Sequence, residues 1–559
     1  MPVKILNVSV MAVFCTLFTP AAFSERIEET RLSETVRVLA SDEFEGRAPG
    51  TAGERKTVAY LIDQFKTLGL SPAGENGSWT QAVPLIHTKL ANTFTANFSI
   101  ADNPWHLKQG VDVELSSIST LEHNQINDAP VIFVGFGASA PERNWDDYGD
   151  IDLTGKVAVF LVNDPDFAAA PSEPVAGLFG NKRMTYYGRW TYKFEEAARR
   201  GAVAAIVIHE DKAAGYGWQV ASSSPGENYA IAHTDADQKT LQLQGWLHND
   251  AAARLFRAAG LNLDEQRRLS RLPEFEAVEL KGIKFNADLH VNVERIQSQN
   301  VLAQIAGSSQ QDEVIMVSSH WDAYGIGEPD KQGRTVRPGA NDDALGTAGV
   351  LELARVLKAE PTPARSIVFA VWTAEESGLL GSAAYAQNPV FPLAKTAANF
   401  TLDILQTAGL ARDVILVGEG QSELEADLVN AAARQGRSLT PESLPENGLF
   451  FRADHFSMAR KGVPVLLLMG IAGGADLIDG GRKAGEQWIS DYINHCYHQT
   501  CDAWSADLDL SGAAQDIELF QMIIQDLSNS ARWPEWRDGS EFKAIRDMSK
   551  SSRSKNDHN

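Results

Sequence analysis

The chain has 559 residues, 44% of them hydrophobic and 22% charged, a globular balance in a polypeptide too long for one ordinary core. Its 50 Lys and Arg stand against 73 Asp and Glu, a formal net charge of −23. That balance argues against nucleic acid or an anionic membrane surface as the main partner, since either needs a basic footprint. At the N-terminus, Lys4 precedes an apolar stretch over residues 8–18, and small residues at Ala22 and Ser24 flank a cleavage point before Glu25. This is the layout of a secretory signal peptide cleaved near Ser24, too short to span a bilayer; a buried N-terminal helix is the alternative. Phe14 stands where a lipidation signal at Cys15 would need a small residue, and no later segment is long and apolar enough to cross a membrane. The expectation is an exported mature chain, periplasmic or secreted, with no membrane insertion. It retains two cysteines, Cys496 and Cys501, close enough for a disulfide in an oxidising compartment. A cysteine metal site would lack further thiols, and two unpaired thiols are the other option.

In chain order, residues 30–70 read as helix, loop, helix. The loop 44–53 is rich in Gly and Pro and must turn; Val58, Leu61, Ile62 and Phe65 then recur at helical spacing, and Gly69 ends that helix. From about Ala129 short β-type runs appear at 130–135, 156–162 and 202–208, with a helix over 192–201 closed by Gly201. From Asn300 onward strand patterns at 314–317, 367–372, 400–404, 414–417 and 463–468 alternate with helical ones. The expected fold is therefore α/β, a mainly parallel-stranded mixed sheet sandwiched by helices with an inserted smaller domain. The boundaries read as signal 1–24, main domain 25–125 and 280–540, insertion 126–275, and tail 541–559. The last ten residues are polar and expected to lack structure.

The residues with chemical potential stand where these strands end. The 314–317 strand runs on to His320 and Asp322, a His and an Asp at the carboxyl edge, where open α/β sheets place their sites. Asp342 and Asp343 lie in a glycine-rich turn before a helix, where one of them could cap that helix. Glu375 and Glu376 follow an apolar strand; adjacent carboxylates there are costly unless used, one as metal ligand and one as general base. Asp403 is a charge inside an apolar strand, and His498 sits in the loop that Cys496 and Cys501 would pin. Two His and several carboxylates suit zinc, and two metals sharing a carboxylate would lie ~3.5–4 Å apart.

The series His320-Trp321-Asp322, Gly339-Ala340-Asn341-Asp342-Asp343, Glu375-Glu376, Asp403 and Cys496-Tyr497-His498 resembles the M28 family of cocatalytic zinc peptidases. The likeness in order, spacing and strand-end context covers about 31–120 and 282–536, and 129–273 looks like the protease-associated (PA) domain some members insert. The resemblance implies two Zn2+ per chain. Asp342 would bridge them, His320 and Asp403 would complete one site, and Glu376 and His498 the other. Glu375 would be the general base, Asp322 the orienter of His320, and Tyr497 an oxyanion stabiliser. It also implies a cis peptide at Asp342-Asp343 and a bridge between Cys496 and Cys501. Asp343 and Thr401 depart from the pattern, standing where Asn is common.

The implied activity is that of a two-zinc exopeptidase hydrolysing peptide bonds with a metal-bridging hydroxide and the Glu375 base. A free α-amino group is a cation and suits a carboxylate-rich site, which favours an aminopeptidase acting on peptides with a free N-terminus. A carboxypeptidase or dipeptidase would need a basic clamp, for which Arg452 is the candidate. A glutaminyl cyclase-like acyltransferase would generally use one zinc, and a non-catalytic binding relative would have lost ligands. The aromatic run 184–190 is expected to pack the insertion's own core, or else to face the cleft. The sequence carries no signal for oligomeric state or side-chain preference.

Overall fold

The computed structural model describes residues 25–101, 103–222, 226–232 and 240–553. The expected signal segment and its cleavage point lie outside them. Four parallel strands form the heart of the main sheet, in the order Val465–Leu468, Thr396–Leu402, Gln310–His320 and Arg365–Trp372. Thr396–Leu402 and Arg365–Trp372 are buried at every position, as strands covered on both faces must be, and from Ile367 to Trp372 the second is a continuous apolar run. Alternation within them serves two cores. Ile315, Val317, Phe369 and Val371 face the layer of Glu29–Leu39, Ala52–Thr67, Leu345–Ala359 and Ser511–Ser528. Val314, Met316, Val368 and Ala370 face the opposite layer, with Trp372, Tyr385 and Phe456.

One strand, Val278–Ile305, joins this sheet to a second one. Its last residues, from Val301, pair with Arg365–Trp372, and the stretch from Val291 to Val301 pairs with Thr80–Leu90. Its first half pairs with Thr95–Ile100 and His123–Phe133. Beyond these lie Val157–Leu161, Ala204–His209, Leu243–His248 and Val113–Ser116, with Asn249–Ala258 and Trp190–Arg199 packed on opposite faces. The second sheet thus recruits Thr95–Ile100, Asn103–His106 and Val113–Ser116, all N-terminal to the expected boundary at 126, because the hairpin of the first two adds edge-on to the long strand.

Two other expectations are corrected. The strand near 414–417 is found as Asp413–Leu416, but it pairs with Ser438–Pro441 in a separate ribbon and not in the main sheet. There Asp413 is tied down by the Asp476 N–H at 2.7 Å and by Arg482 at 2.6 Å. The tail is also structured through Arg553, with helical turns at Lys543–Met548 and Lys550–Arg553. The reason is Arg546, which is buried and donates to the carbonyls of Thr396, Ala397 and Pro534 at 3.0–3.1 Å. Among the described residues no helix is long and apolar enough to cross a membrane.

Candidate metal centre

The site assembles where the parallel strands stop. His320 is the last residue of Gln310–His320, and Asp403 follows Thr396–Leu402 directly. Glu375 and Glu376 follow Arg365–Trp372 in the next loop. Asp342 lies in the turn Ala340–Ala344 before the Leu345–Ala359 helix, and its peptide bond to Asp343 is cis. His498 is delivered by the loop that the Cys496–Cys501 disulfide closes.

These groups form two triads that share one residue. His320, Asp342 and Asp403 present donor atoms within 4.8 Å of one another, and so do Asp342, Glu376 and His498. Asp342 divides its carboxylate between them: Oδ1 lies 3.3 Å from His320 Nε2 and Oδ2 lies 3.2 Å from His498 Nε2. Asp403 approaches His320 at 3.8 Å and Glu376 approaches His498 at 3.4 Å. Glu375 stands 3.9 Å from His320 Nε2, beside the first triad and in neither.

The electrostatics are those of a cage built for a cation. Burial pushes the Glu375 and Glu376 carboxyls well above their usual range, with neighbouring carboxylates adding to the rise. Burial also raises Asp403, against the pull of His320. On His320 burial works the other way, yet Glu375 and the surrounding carboxylates raise its pKa overall. Among the described residues, buried His320 Nε2, Glu376 Oε1 and Asp403 Oδ1 have no hydrogen-bond partner. Orphaned buried polar atoms of this kind are costly, and imidazole nitrogens with carboxylate oxygens are the donor set zinc takes, so the residues present fit the metal.

The supporting contacts differ in part from expectation. His320 Nδ1 lies 3.1 Å from the Asp322 main-chain carbonyl and 3.6 Å from its carboxylate. That carboxylate instead accepts the main-chain N–H groups of Glu375 at 3.0 Å and Glu376 at 3.3 Å, so it anchors the glutamate loop. Asp343 takes the capping role, accepting Gly346 N–H at 2.9 Å and His320 N–H at 3.2 Å. Two supporting residues escaped the sequence reading. Asp502 accepts the N–H groups of Asn341 and Asp342 at 2.9 and 3.1 Å and so holds the backbone of the aspartate that the two triads share. Arg47 is fully buried and donates to the carbonyls of Trp321 at 2.7 Å, Pro338 at 2.6 Å and Gly339 at 2.9 Å. Asp502 directly follows Cys501, and Arg47 lies in the Gly- and Pro-rich loop; only that context could have pointed to them.

Above the triads opens a cavity of about 270 Å³. Tyr497 lines it, with its ring 3.6 Å from that of His498, and Leu449, Phe451 and Ile471 give it apolar wall. The second module supplies the rest through Arg189, Trp190, Thr191 and Glu195. The aromatic run 184–190 therefore does not serve only its own module. Met184 joins the main domain's core, and Tyr186 packs 5.1 Å from Phe456. Glu195 forms an ion pair with Arg460 across the same seam at 2.6 Å. Arg189 and Arg452 also line the cavity, half-buried and with no ion pair among the described residues; burial, then the charge of Arg452, lowers Arg189 to about 10.

Parts of the chain are similar to known proteins. The model of peptidase family M28 matches residues 300–521. Leupeptin-inactivating enzyme 1 of Streptomyces exfoliatus is 29% identical over 209 residues, 36% of this chain and 43% of that protein. The glutamate carboxypeptidase 2 homolog of Caenorhabditis elegans is 32% identical over 133 residues, 23% of this chain and 16% of its own. The chain thus spans less than half the length of these curated relatives. Among solved structures, the aminopeptidase from Aneurinibacillus sp. strain AM-1 aligns over 89% of this chain and 93% of its own, at 19% identity and a TM-score of 0.48. Residues 300–521, which contain every site residue expected from the sequence, match the model of peptidase family M28.

Proposed function

We propose that the chain is an exported two-zinc aminopeptidase. The observation that carries this reading is the sharing of Asp342 between two triads, each completed by one imidazole and one further carboxylate. His320, Asp342 and Asp403 would hold one zinc, and Asp342, Glu376 and His498 the other. When bound, the ions supply Lewis acidity and lower the pKa of water. Glu375, beside the first triad and a member of neither, takes the proton from the attacking water and passes it to the leaving amine. Asp322 keeps Glu375 in reach through its main-chain N–H. Tyr497 faces the cavity beside His498, where its hydroxyl can donate to the oxygen that gains charge. The second module, PA-like in this reading, walls the substrate cavity.

Peptides carrying a free amine meet a cavity floor of Asp342, Glu375, Glu376 and Asp403, which favours release from the N-terminus. One observation favours a second reading. Arg452 and Arg189, without carboxylate partners of their own, would suit a substrate carboxylate, as in a carboxypeptidase or dipeptidase. The deciding experiment is mass spectrometry of a mixed peptide pool incubated with the purified protein, with and without chelator, alongside N-terminally blocked copies. Chelator-sensitive ladders from free N-termini alone are expected. Trimming from the C-terminus that ignores blocking would replace the aminopeptidase reading with the second one. No cleavage by protein holding two zinc ions would sink both.

A further inference from the structure

A separate cluster lies on the second module. His123 opens the strand His123–Phe133, and Asp288 and His290 lie two apart on Val278–Ile305. The register pairs His290 directly with His123 and Asp288 with Gln125, so both imidazoles and the carboxylate emerge on one face. It is the outer face: Leu289 and Val291, which alternate with them, are buried in the module's core. The two rings stack with centroids 4.5 Å apart and planes 12° apart. Both converge on Asp288, with Oδ1 2.7 Å from His123 Nε2 and Oδ2 3.6 Å from His290 Nε2. Gln125 donates to the same Oδ1 at 3.3 Å.

We propose that His123, Asp288 and His290 form a transition-metal site independent of the candidate active site, taking a divalent first-row ion such as zinc or copper. Donor atoms of all three lie within 4.8 Å of one another. Tetrahedral ligands at zinc's usual bond lengths stand ~3.3 Å apart, and the separations of His123 Nε2 from Oδ1 and of His290 Nε2 from Oδ2, 2.7 and 3.6 Å, bracket that value. Two imidazoles and one carboxylate leave positions open for water, a set that suits zinc, copper and nickel and disfavours calcium or magnesium. The strands hold the donors in place, so little ordering is needed on binding. The side chains are 53%, 44% and 42% exposed, which leaves an entry path. The position has a consequence for the fold. The next residue, Val291, is where the long strand begins to pair with Thr80–Leu90, so an ion here ties His123–Phe133 to the long strand beside the junction of the two sheets.

The test is metal content after equilibrium dialysis of the full chain against micromolar zinc, for wild type, His123→Ala, His290→Ala and Asp288→Asn. Wild type is expected to hold one ion more than each variant. The difference carries the result, so a wrong ion count at the candidate active site does not disturb it. Copper loading gives an independent readout. The electron paramagnetic resonance difference between wild type and His290→Ala is expected to show hyperfine coupling to two imidazole nitrogens. Equal metal content in all four proteins, or a difference signal without two nitrogens, overturns the site. Exposed positions on a paired strand tolerate these substitutions, and circular dichroism checks that each variant is folded.

Discussion

Glu375 and Glu376 are neighbours in sequence with unlike tasks, and the difference is geometric. Glu376 lies 3.4 Å from His498 in the second triad, while Glu375 stands beside the first triad and belongs to neither. Glu375→Gln keeps the shape and removes the base, so kcat should fall by roughly 10²–10⁴, the usual worth of a positioned general base. Metal content by elemental analysis should stay that of wild type; a variant that lost metal would make Glu375 a ligand instead. The carboxylates of the candidate site drew attention in the sequence by their setting: Glu375, Glu376 and Asp403 stand in or just after apolar runs, where burial demands a reason, and Asp342 stands in a glycine-rich turn. Arg47 and Asp502 were not legible. They act on main-chain groups of Trp321, Gly339, Asn341 and Asp342, and a contact with a backbone amide leaves no trace in residue type at the partner position.

At the scale of the element, the site depends on a turn and a loop held together by one carboxylate. Asp502 joins the disulfide loop to the Ala340–Ala344 turn, and its second oxygen also accepts from the Tyr492 hydroxyl at 3.1 Å. Asp502→Ala leaves two buried N–H groups without an acceptor, which costs ~1–3 kcal/mol for each such group. It also frees the backbone of the shared ligand Asp342. Zinc affinity should drop by about 10–100-fold, the usual effect of losing an outer support. Competition with a chromophoric chelator measures this; unchanged affinity would mean that Asp502 serves only the fold. Removing the metal from wild type should also lower Tm by several degrees, because an ion that binds only the folded state stabilises it and the bare carboxylates repel. Calorimetry of chelated and reloaded protein checks the direction. The strands that carry the site followed from apolar runs and were readable. The Asp413–Leu416 ribbon and the Arg546 anchor were not, since one depends on which edge a short strand joins and the other on carbonyls left free by a distant strand.

At the scale of the molecule, the second module lines the cavity above the triads and is not an appendage. Sequence patterns gave its start as 126, while the strand Thr95–Ile100 already pairs with the long strand's first half; a hairpin that adds to a shared strand looks the same in sequence as one belonging to the main sheet. Two of its contacts with the main domain involve residues that line the cavity. The Glu195–Arg460 pair is substantially exposed, and pairs of that kind are worth little, about 0–1 kcal/mol, and weaken in salt. Tyr186 is the stronger seat. Its ring meets Phe456 at 5.1 Å and Phe451 at 6.4 Å, and aromatic pairs add ~0.5–1.5 kcal/mol to the burial itself. Tyr186→Ala should therefore loosen the wall formed by Arg189, Trp190 and Thr191 without touching the triads. Contacts that bind substrate equally in ground and transition state change KM and leave kcat alone. The expected outcome is a roughly tenfold higher KM for a tripeptide with kcat within about twofold of wild type, while Glu195→Gln shows a smaller, salt-sensitive change. If Tyr186→Ala instead lowered kcat at constant KM, seating of the module would be coupled to the chemical step, and the second sheet would act as a gate on the metals and not as the substrate's wall.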